Sequence, residues 1–322
     1  MIMKKALPII IALVIIAIIF VGIGIVNKGK PSSQRRIAVI PKGTTHIFWE
    51  SVRRGAEKAG EETGVKILWN GPKRETDREE QIQIIEDFIV QKVSGIVLAP
   101  CDSKALVPKV EELFEKQIPC VIIDSGIDTE KYVCFAATDN YIGGLIAARR
   151  MGKILNGKGK IVVVKYVPGS ASTTNRENGF IDTIKKEFPE IEIVDAQYGN
   201  DTVETALQVT EDMLTKNTEL DGLFACNAST SVGAMQGLRS QGRAGKIKMI
   251  GFDTEKALID GLKEGAIDSL VAQNPFKMGY EGVKTVVAVL DGKELETKRI
   301  DTRVTLVTKE NLETTEIQAL LR

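Results

Sequence analysis

Six apolar runs in this chain stop on a side chain that can accept or donate hydrogen bonds: Asp102 after LAPC, Asp124 after CVII, Asp139 after FAAT, Asn227 after LFAC, Asp253 after MIGF and Gln273 after LVA. One such residue is an ordinary strand exit, since Asp or Asn there commonly caps the helix that follows. Six together describe acceptors and amides gathered at the C-terminal edges of parallel strands, the crevice where open α/β sheets hold ligands. Phe48 and Trp49 belong to the same set, closing a polar loop, Lys42 to His46, that follows the run Ile37–Ile40. Arg176 joins them from the segment GSASTTNRENGF. Carboxylates, amides and a guanidinium beside a flat apolar face suit a polyhydroxylated ligand. Hydroxyls need paired donors and acceptors, and the ring face needs an aromatic to stack on.

The carboxylates could instead do acid–base work, because a pair about 5 to 9 Å apart is what a glycosidase uses. No G-x-S-x-G, no P-loop pattern and no G-x-G-x-x-G follows any of the runs, so nucleophilic and nucleotide chemistry lack their usual carriers. Hydroxyl-accepting carboxylates explain the same residues without a reaction, and the expectation is a binding protein and not an enzyme. A single histidine, His46, leaves little room for a His-based catalytic or metal centre. No metal and no cofactor are expected. The chain carries 43 basic and 43 acidic residues, which gives no electrostatic footprint for nucleic acid.

These side chains need elements to position them. From residue 36 onward, strand and helix patterns alternate with short connections. Strand candidates are 37–40, 65–69, 95–99, 119–124 and 132–137, then 160–166, 191–197, 222–226, 247–252 and 269–273. The helical stretches between them include 48–64, 76–91, 103–116, 140–155, 175–188, 203–216, 229–240, 255–264 and 276–290. Phe48, Val52, Ala56 and Ala59 recur at helical spacing ahead of Gly64, a C-terminal stop. Alternation of this kind predicts parallel sheets with helices on both faces. Ten strands exceed one compact sheet, and a split near Asp139-Asn140 gives two similar halves. The expected fold class is α/β, with two Rossmann-like lobes facing one another and joined by a hinge of several crossovers.

The first 35 residues read differently. Lys4 and Lys5 precede an apolar stretch of 21 residues, Ala6 to Val26, enough to cross a hydrocarbon core of about 30 Å. It ends without the small-residue site of a cleavable signal, and no cysteine near its end could carry a lipid. An uncleaved N-terminal signal-anchor helix is expected, with a cleaved leader as the alternative and NKGKPSSQ as a linker. The lysine-flanked end would stay cytoplasmic and the body would be exported, although Lys28, Lys30, Arg35 and Arg36 weaken that orientation. The four cysteines, Cys101, Cys120, Cys134 and Cys226, show no C-x-x-C spacing and read as small buried hydrophobes. In an exported protein a Cys120–Cys134 disulfide is an open alternative.

Taken together, the loop Lys42 to Trp49, GIVLAPCDS, IPCVIIDSG, ATDNYIGG, GSASTTNRENGF, LFACNAST, MIGFDT and VAQNPFKMGYEGV resemble the periplasmic sugar-binding proteins of the ribose/galactose type, the solute receptors of ABC importers. The resemblance covers residues 36 to 307. It implies that Phe48 and Trp49 sandwich a sugar from the first lobe and that Asp124 accepts from its hydroxyls. It further implies that Arg176 donates to its oxygens and that Asn227, Asp253 and Gln273 complete the polar ring. Asp139, Asn140 and Asn274 match hinge crossings. The implied lobes are 36–138 plus 275–302 and 139–274 plus 303–310, with 311–322 as a C-terminal tail after the 1–35 anchor and linker. Three departures from the ribose-specific pattern stand out. Ser125 follows Asp124 where ribose binders have Arg. The second-lobe aromatic is missing from YGNDTVETAL. Lys42 and His46 replace small polar residues of the first loop, and join the expected ligand set with Ser125.

The resemblance thus implies capture of a monosaccharide, a pentose or hexose, by hinge closure. Delivery to an ABC permease and its ATPase would follow, at the periplasmic face of the cytoplasmic membrane, or in the free periplasm if the leader is cleaved. A sensing ectodomain reporting to a chemoreceptor or kinase is the alternative output. Sugar-responsive repressors share such a core, but they need an N-terminal helix-turn-helix where this chain has a membrane-length apolar run.

Overall fold

The structure, a computed structural model, describes residues 34–321. The expected anchor at 6–26 lies outside the described residues; among those described, no helix is long and apolar enough to cross a membrane. From Arg36 the chain builds two six-stranded sheets. The first contains β1 (Arg36–Ile40), β2 (Lys66–Trp69), β3 (Gly95–Leu98), β4 (Cys120–Ile123), β5 (Cys134–Ala137) and β11 (Arg299–Asp301), in the order β11-β5-β4-β3-β1-β2. The second contains β6 (Lys158–Lys165), β7 (Glu190–Tyr198), β8 (Gly222–Ala225), β9 (Lys248–Phe252), β10 (Ser269–Gln273) and β12 (Val304–Thr308), in the order β12-β10-β9-β8-β6-β7. The two orders correspond strand for strand.

The apolar runs lack alternation because helices cover both faces of each sheet. Ile37 and Val39 pack with Val52 and Ala56 of α1 (Ile47–Thr63) and with Met278 and Val283 of α9 (Pro275–Leu290). Ala38 and Ile40 point the other way, onto Ile84 and Phe88 of α2 (Arg78–Val90) and Val110 and Leu113 of α3 (Val107–Glu115). In the second lobe, α4 (Asn140–Ile154) and α5 (Ala171–Glu187) cover one face. The other face carries α6 (Val203–Lys216), α7 (Ala228–Ser240) and α8 (Lys256–Glu264). Leu312 and Ile317 are also buried on that second face, the latter from the terminal helix α10 (Thr315–Leu320), so the C-terminal segment packs on the second lobe.

The chain passes between the sheets three times: between β5 and α4, between β10 and α9, and between β11 and β12. The last passage leaves the C-terminal end of β11 and enters the second sheet from its own C-terminal edge. That direction of entry makes β12 run antiparallel to β10, while every other pair is parallel. Strands β11 and β12 are absent from the ten strand candidates. The three-residue β11 and the half-buried edge strand β12 carry too little apolar signal to stand out. Helix boundaries differ too: residues 103–106 form turns and not helix, with α3 beginning at Val107, and α5 begins at Ala171, four residues ahead of the expected start.

All four cysteines are free and buried. Although β4 and β5 are neighbours, Val121 is the residue opposite Cys134. Cys134 shares its face with Val121 and Ile123, whereas Cys120 lies on the other face with Ile122. The sheet separates the two thiols, so the open alternative of a disulfide fails on geometry. Burial pushes the Cys120 thiol up to about 12.

Candidate ligand-binding site

Each lobe presents an aspartate at the same topological point. Asp124 follows β4 and Asp253 follows β9, and both adopt left-handed backbone, with φ of 59° and 72°. Each still donates its N–H to the next strand, Asp124 to the Ala136 carbonyl and Asp253 to that of Val271. The chain therefore leaves the sheet abruptly just after the last ladder bond. Asp tolerates this conformation better than most residues, and such local strain concentrates at ligand sites.

Between the lobes lies a cavity of about 360 Å³, counting the space open to solvent. It is lined by Lys42, His46, Phe48, Trp49, Glu75, Asp124, Ser172, Thr173, Arg176, Asn227, Ala228, Asp253 and Gln273. Of the residues expected from the sequence to meet a ligand, only Ser125 is not part of the lining. Its hydroxyl accepts the Ser172 N–H across the lobes, at 3.0 Å.

The lining is organised by ion pairs and hydrogen bonds. Lys42 places its Nζ 2.7 Å from Asp124 Oδ2 and donates to Ser172 Oγ at 2.9 Å and Ser170 Oγ at 3.4 Å. Both members of that pair are buried, which a lone charge would not tolerate. Phe48 meets Trp49 edge to face, with centroids 5.0 Å apart. The Trp49 indole N–H donates to Glu75 Oε1 at 2.8 Å, and the Tyr166 hydroxyl donates to Glu75 Oε2 at 2.9 Å, so both carboxylate oxygens are engaged. Arg176 projects from α5 over the ring of Phe252, 4.0 Å from its centroid. It donates from Nε to Asn140 Oδ1 at 2.8 Å and from Nη1 to the Cys226 carbonyl at 3.1 Å.

Opposite Arg176, Gln273 donates through Nε2 to Asp253 Oδ1 at 2.7 Å, while its Oε1 is buried without a partner. Burial holds the Asp253 carboxyl above the ordinary carboxylate range. The Arg176 guanidinium and the Gln273 amide pull it the other way, and the Asp124 carboxylate adds to the rise. An unpartnered amide oxygen beside a carboxylate that burial disfavours calls for hydrogen-bond donors from whatever enters the cavity. Asn227 caps α7 by accepting the Thr230 N–H in a capping box and also reaches the lining.

Two of the six strand-exit residues serve locally. Asp102 accepts from the amides of Lys104 and Ala105, and Asp139 caps α4 through the Ile142 N–H. Asn140 donates to the Asp124 carbonyl while accepting from Arg176, linking the two lobes at the first crossing. Asn274 caps α9 through the Lys277 N–H at the second crossing. Glu75, Ser172, Thr173 and Ala228 escaped the sequence reading. Glu75 is one carboxylate among several in NGPKRETDREE, six residues past the end of β2. Ser172 and Thr173 join the site because α5 starts early and turns its first residues into the cleft. Among the described residues, no group of three His, Cys, Asp or Glu is placed to hold a metal ion.

Residues 37–294 match the family model described as "Periplasmic binding protein domain". The chain is similar to the D-ribose/D-allose-binding protein of Pseudomonas aeruginosa, 31% identical over 90% of this chain and 93% of that protein. It is also similar to the ribose import binding protein of Bacillus subtilis, 26% identical over 91% of this chain and 96% of that one. Among solved structures, a carbohydrate transporter solute-binding protein from Agrobacterium radiobacter in complex with D-arabinose superposes with a TM-score of 0.87. It shares 36% identity and covers 90% of this chain and 100% of its own. An ABC transporter solute-binding protein from Agrobacterium vitis with bound D-fucose gives 0.86 at 37% identity, covering 89% and 100%. On fold, site position and these matches, the chain belongs to the periplasmic binding protein domain family, as a type I periplasmic sugar-binding protein of ABC transport systems.

Proposed function

We propose that this chain captures a neutral monosaccharide between its lobes by hinge closure and delivers it to an ABC import permease whose ATPase supplies the energy. The observation that carries the reading is the cavity itself. Acceptors from both sheets, Asp124, Asp253 and the unpartnered Gln273 Oε1, face the Phe48–Trp49 pair and the Arg176 guanidinium across one small space. That combination matches hydroxyls on a compact ring and requires no chemistry of the ligand. Phe48, Trp49 and Asp124 hold the ligand from the first lobe. Arg176, Asn227, Asp253 and Gln273 hold it from the second, so closure gains contacts that neither lobe offers alone. The lobes that move are 36–138 with 275–302 and 139–274 with 303–310. The crossings at Asp139-Asn140, Asn274 and Thr302-Arg303 absorb the rotation.

The sugars named for its relatives, ribose and allose for one and D-arabinose and D-fucose for two solved neighbours, support a pentose or hexose as the ligand. The apolar stretch 6–26 acts as an anchor that keeps the receptor on the periplasmic face of the cytoplasmic membrane.

Titration calorimetry of the body from Gln34 onward with D-ribose, D-allose, D-arabinose, D-fucose and D-tagatose tests the reading. Micromolar or tighter binding of at least one sugar is expected, accompanied by a change in tryptophan fluorescence. No heat and no thermal shift with any of them, extended to sugar alcohols, would remove the sugar reading.

A further inference from the structure

The lip of the cleft carries a contact that none of the lining residues makes. Asp201, in the YGND turn after β7, belongs to the second lobe; Arg74 and Thr76, in the loop between β2 and α2, belong to the first. The Arg74 guanidinium meets the Asp201 carboxylate in a fork, Nη2 to Oδ1 at 2.6 Å and Nε to Oδ2 at 3.0 Å, and Thr76 Oγ1 donates to Oδ2 at 3.1 Å. The Asp201 side chain is 4% exposed and that of Arg74 54% exposed. The carboxylate has therefore given up its water, and the partners replacing it come from the opposite lobe. Burial pushes the Asp201 carboxyl up, but the hydrogen bonds from Arg74 and Thr76 and the Arg74 charge outweigh it, and the carboxyl sits below its ordinary range. Between Arg74 and Thr76, Glu75 receives the Tyr166 hydroxyl of the second lobe and the Trp49 indole of the first. Three consecutive side chains of one loop are thus fastened across the cleft or to the cavity wall.

We propose that Arg74, Thr76 and Asp201 form a clasp that holds the lobes together, sets how fast a captured ligand leaves and positions Glu75 in the cavity wall, without touching the ligand. The proposal rests on the capture reading above and adds a role for residues outside the cavity. It also explains the missing aromatic of YGNDTVETAL: in that turn this chain places a charged bond between lobes. A bidentate fork resists shear as well as separation. It exists only when the lobes meet, so it shifts the balance toward the closed form by its own differential energy.

The test uses the full chain in detergent, with D-arabinose and D-allose as probes and Arg74→Ala, Asp201→Asn and the charge exchange Arg74→Asp/Asp201→Arg as variants. Two readouts are needed. The first is the sugar dissociation rate from stopped-flow tryptophan fluorescence, expected to rise about tenfold in each single variant and to recover in the exchange, with the association rate within about twofold. The second is amide hydrogen exchange without sugar at two lobe-to-lobe bonds away from the clasp, Ser103 N–H to the Gly169 carbonyl and Ser172 N–H to Ser125 Oγ. Both are expected to exchange faster in the single variants.

Unchanged dissociation together with unchanged exchange at Ser103 and Ser172 overturns the clasp, while wild-type sugar binding would still stand. Faster exchange in a protein that binds neither probe supports the clasp and counts against these sugars as ligands.

Discussion

At the scale of single residues, the site sets a buried carboxylate against its own stability. Asp253 is held above the ordinary carboxylate range, chiefly by burial. A group whose folded pKa is raised contributes stability that is full below the unfolded pKa and lost as pH rises through the folded one. Removing the charge should therefore help the fold at neutral pH. Asp253→Asn keeps a residue tolerant of the left-handed backbone and is expected to raise Tm by about 2 to 4 °C at pH 7. The gain should disappear below the ordinary carboxylate range, and sugar affinity should fall by about 2 kcal/mol as a charged acceptor is lost. Scanning calorimetry across pH decides it, and a lower Tm at pH 7 would contradict the account. Arg176 behaves differently because its proposed contact with the ligand comes in addition to bonds that serve the fold. Arg176→Ala should weaken sugar binding by about 2 to 4 kcal/mol. It should also cost about 1 to 3 kcal/mol of stability, since Asn140 Oδ1 and the Cys226 carbonyl lose their donor in a buried setting. Calorimetry and denaturant melts separate the two losses; intact stability would mean that the lobe does not depend on those bonds.

At the scale of elements, the helices that carry the site are seated by close backbone approach. A Cβ on Gly144 of α4 would stand 2.0 Å from the Arg176 carbonyl of α5, and one on Gly179 of α5 would stand 2.1 Å from the Tyr141 carbonyl. In the first lobe Gly55 of α1 meets the Phe276 carbonyl of α9 in the same way, at 2.0 Å. Read along the sequence, a glycine inside a helix is a local weakness. In the folded protein it allows α5 to lie close enough for Arg176 to reach Asn140. Gly144→Ala is expected to destabilise by about 1 to 3 kcal/mol and to weaken sugar binding, because α5 must move outward with Arg176 on it. Urea melts and calorimetry check both effects. Full stability with normal affinity would show that the helices can part without disturbing the site.

At the scale of the whole molecule, three chain crossings and a set of lobe-to-lobe bonds join the two lobes, and the proposed closure around a ligand acts through them. Small-angle scattering of the Gln34-onward body should show a smaller radius of gyration with saturating sugar than without it. An unchanged radius alongside confirmed binding would argue for a rigid receptor. The proposed anchor belongs to this scale as well. Mass spectrometry of the native protein should find the stretch 6–26 still attached and the protein in the membrane fraction. An N-terminus between residues 27 and 34 would make the receptor freely soluble.

What the sequence determined by itself were the properties that neighbours in the chain share. Unalternating runs such as Ile37–Ile40 announced doubly covered parallel strands, and polar residues just past them marked the cleft edge, because both signals are local and periodic. Even so, Asp102 and Asp139 read the same as Asp124 and Asp253, and only the fold separated caps from cavity walls. Tertiary structure alone brought Glu75 to Trp49 and Tyr166, joined Arg74 to Asp201 and put Cys120 and Cys134 on opposite faces of one sheet. Each of these depends on which strands lie side by side and on how closely two lobes approach. Those distances are set by packing between segments far apart in the chain, and no local pattern of residue types encodes them.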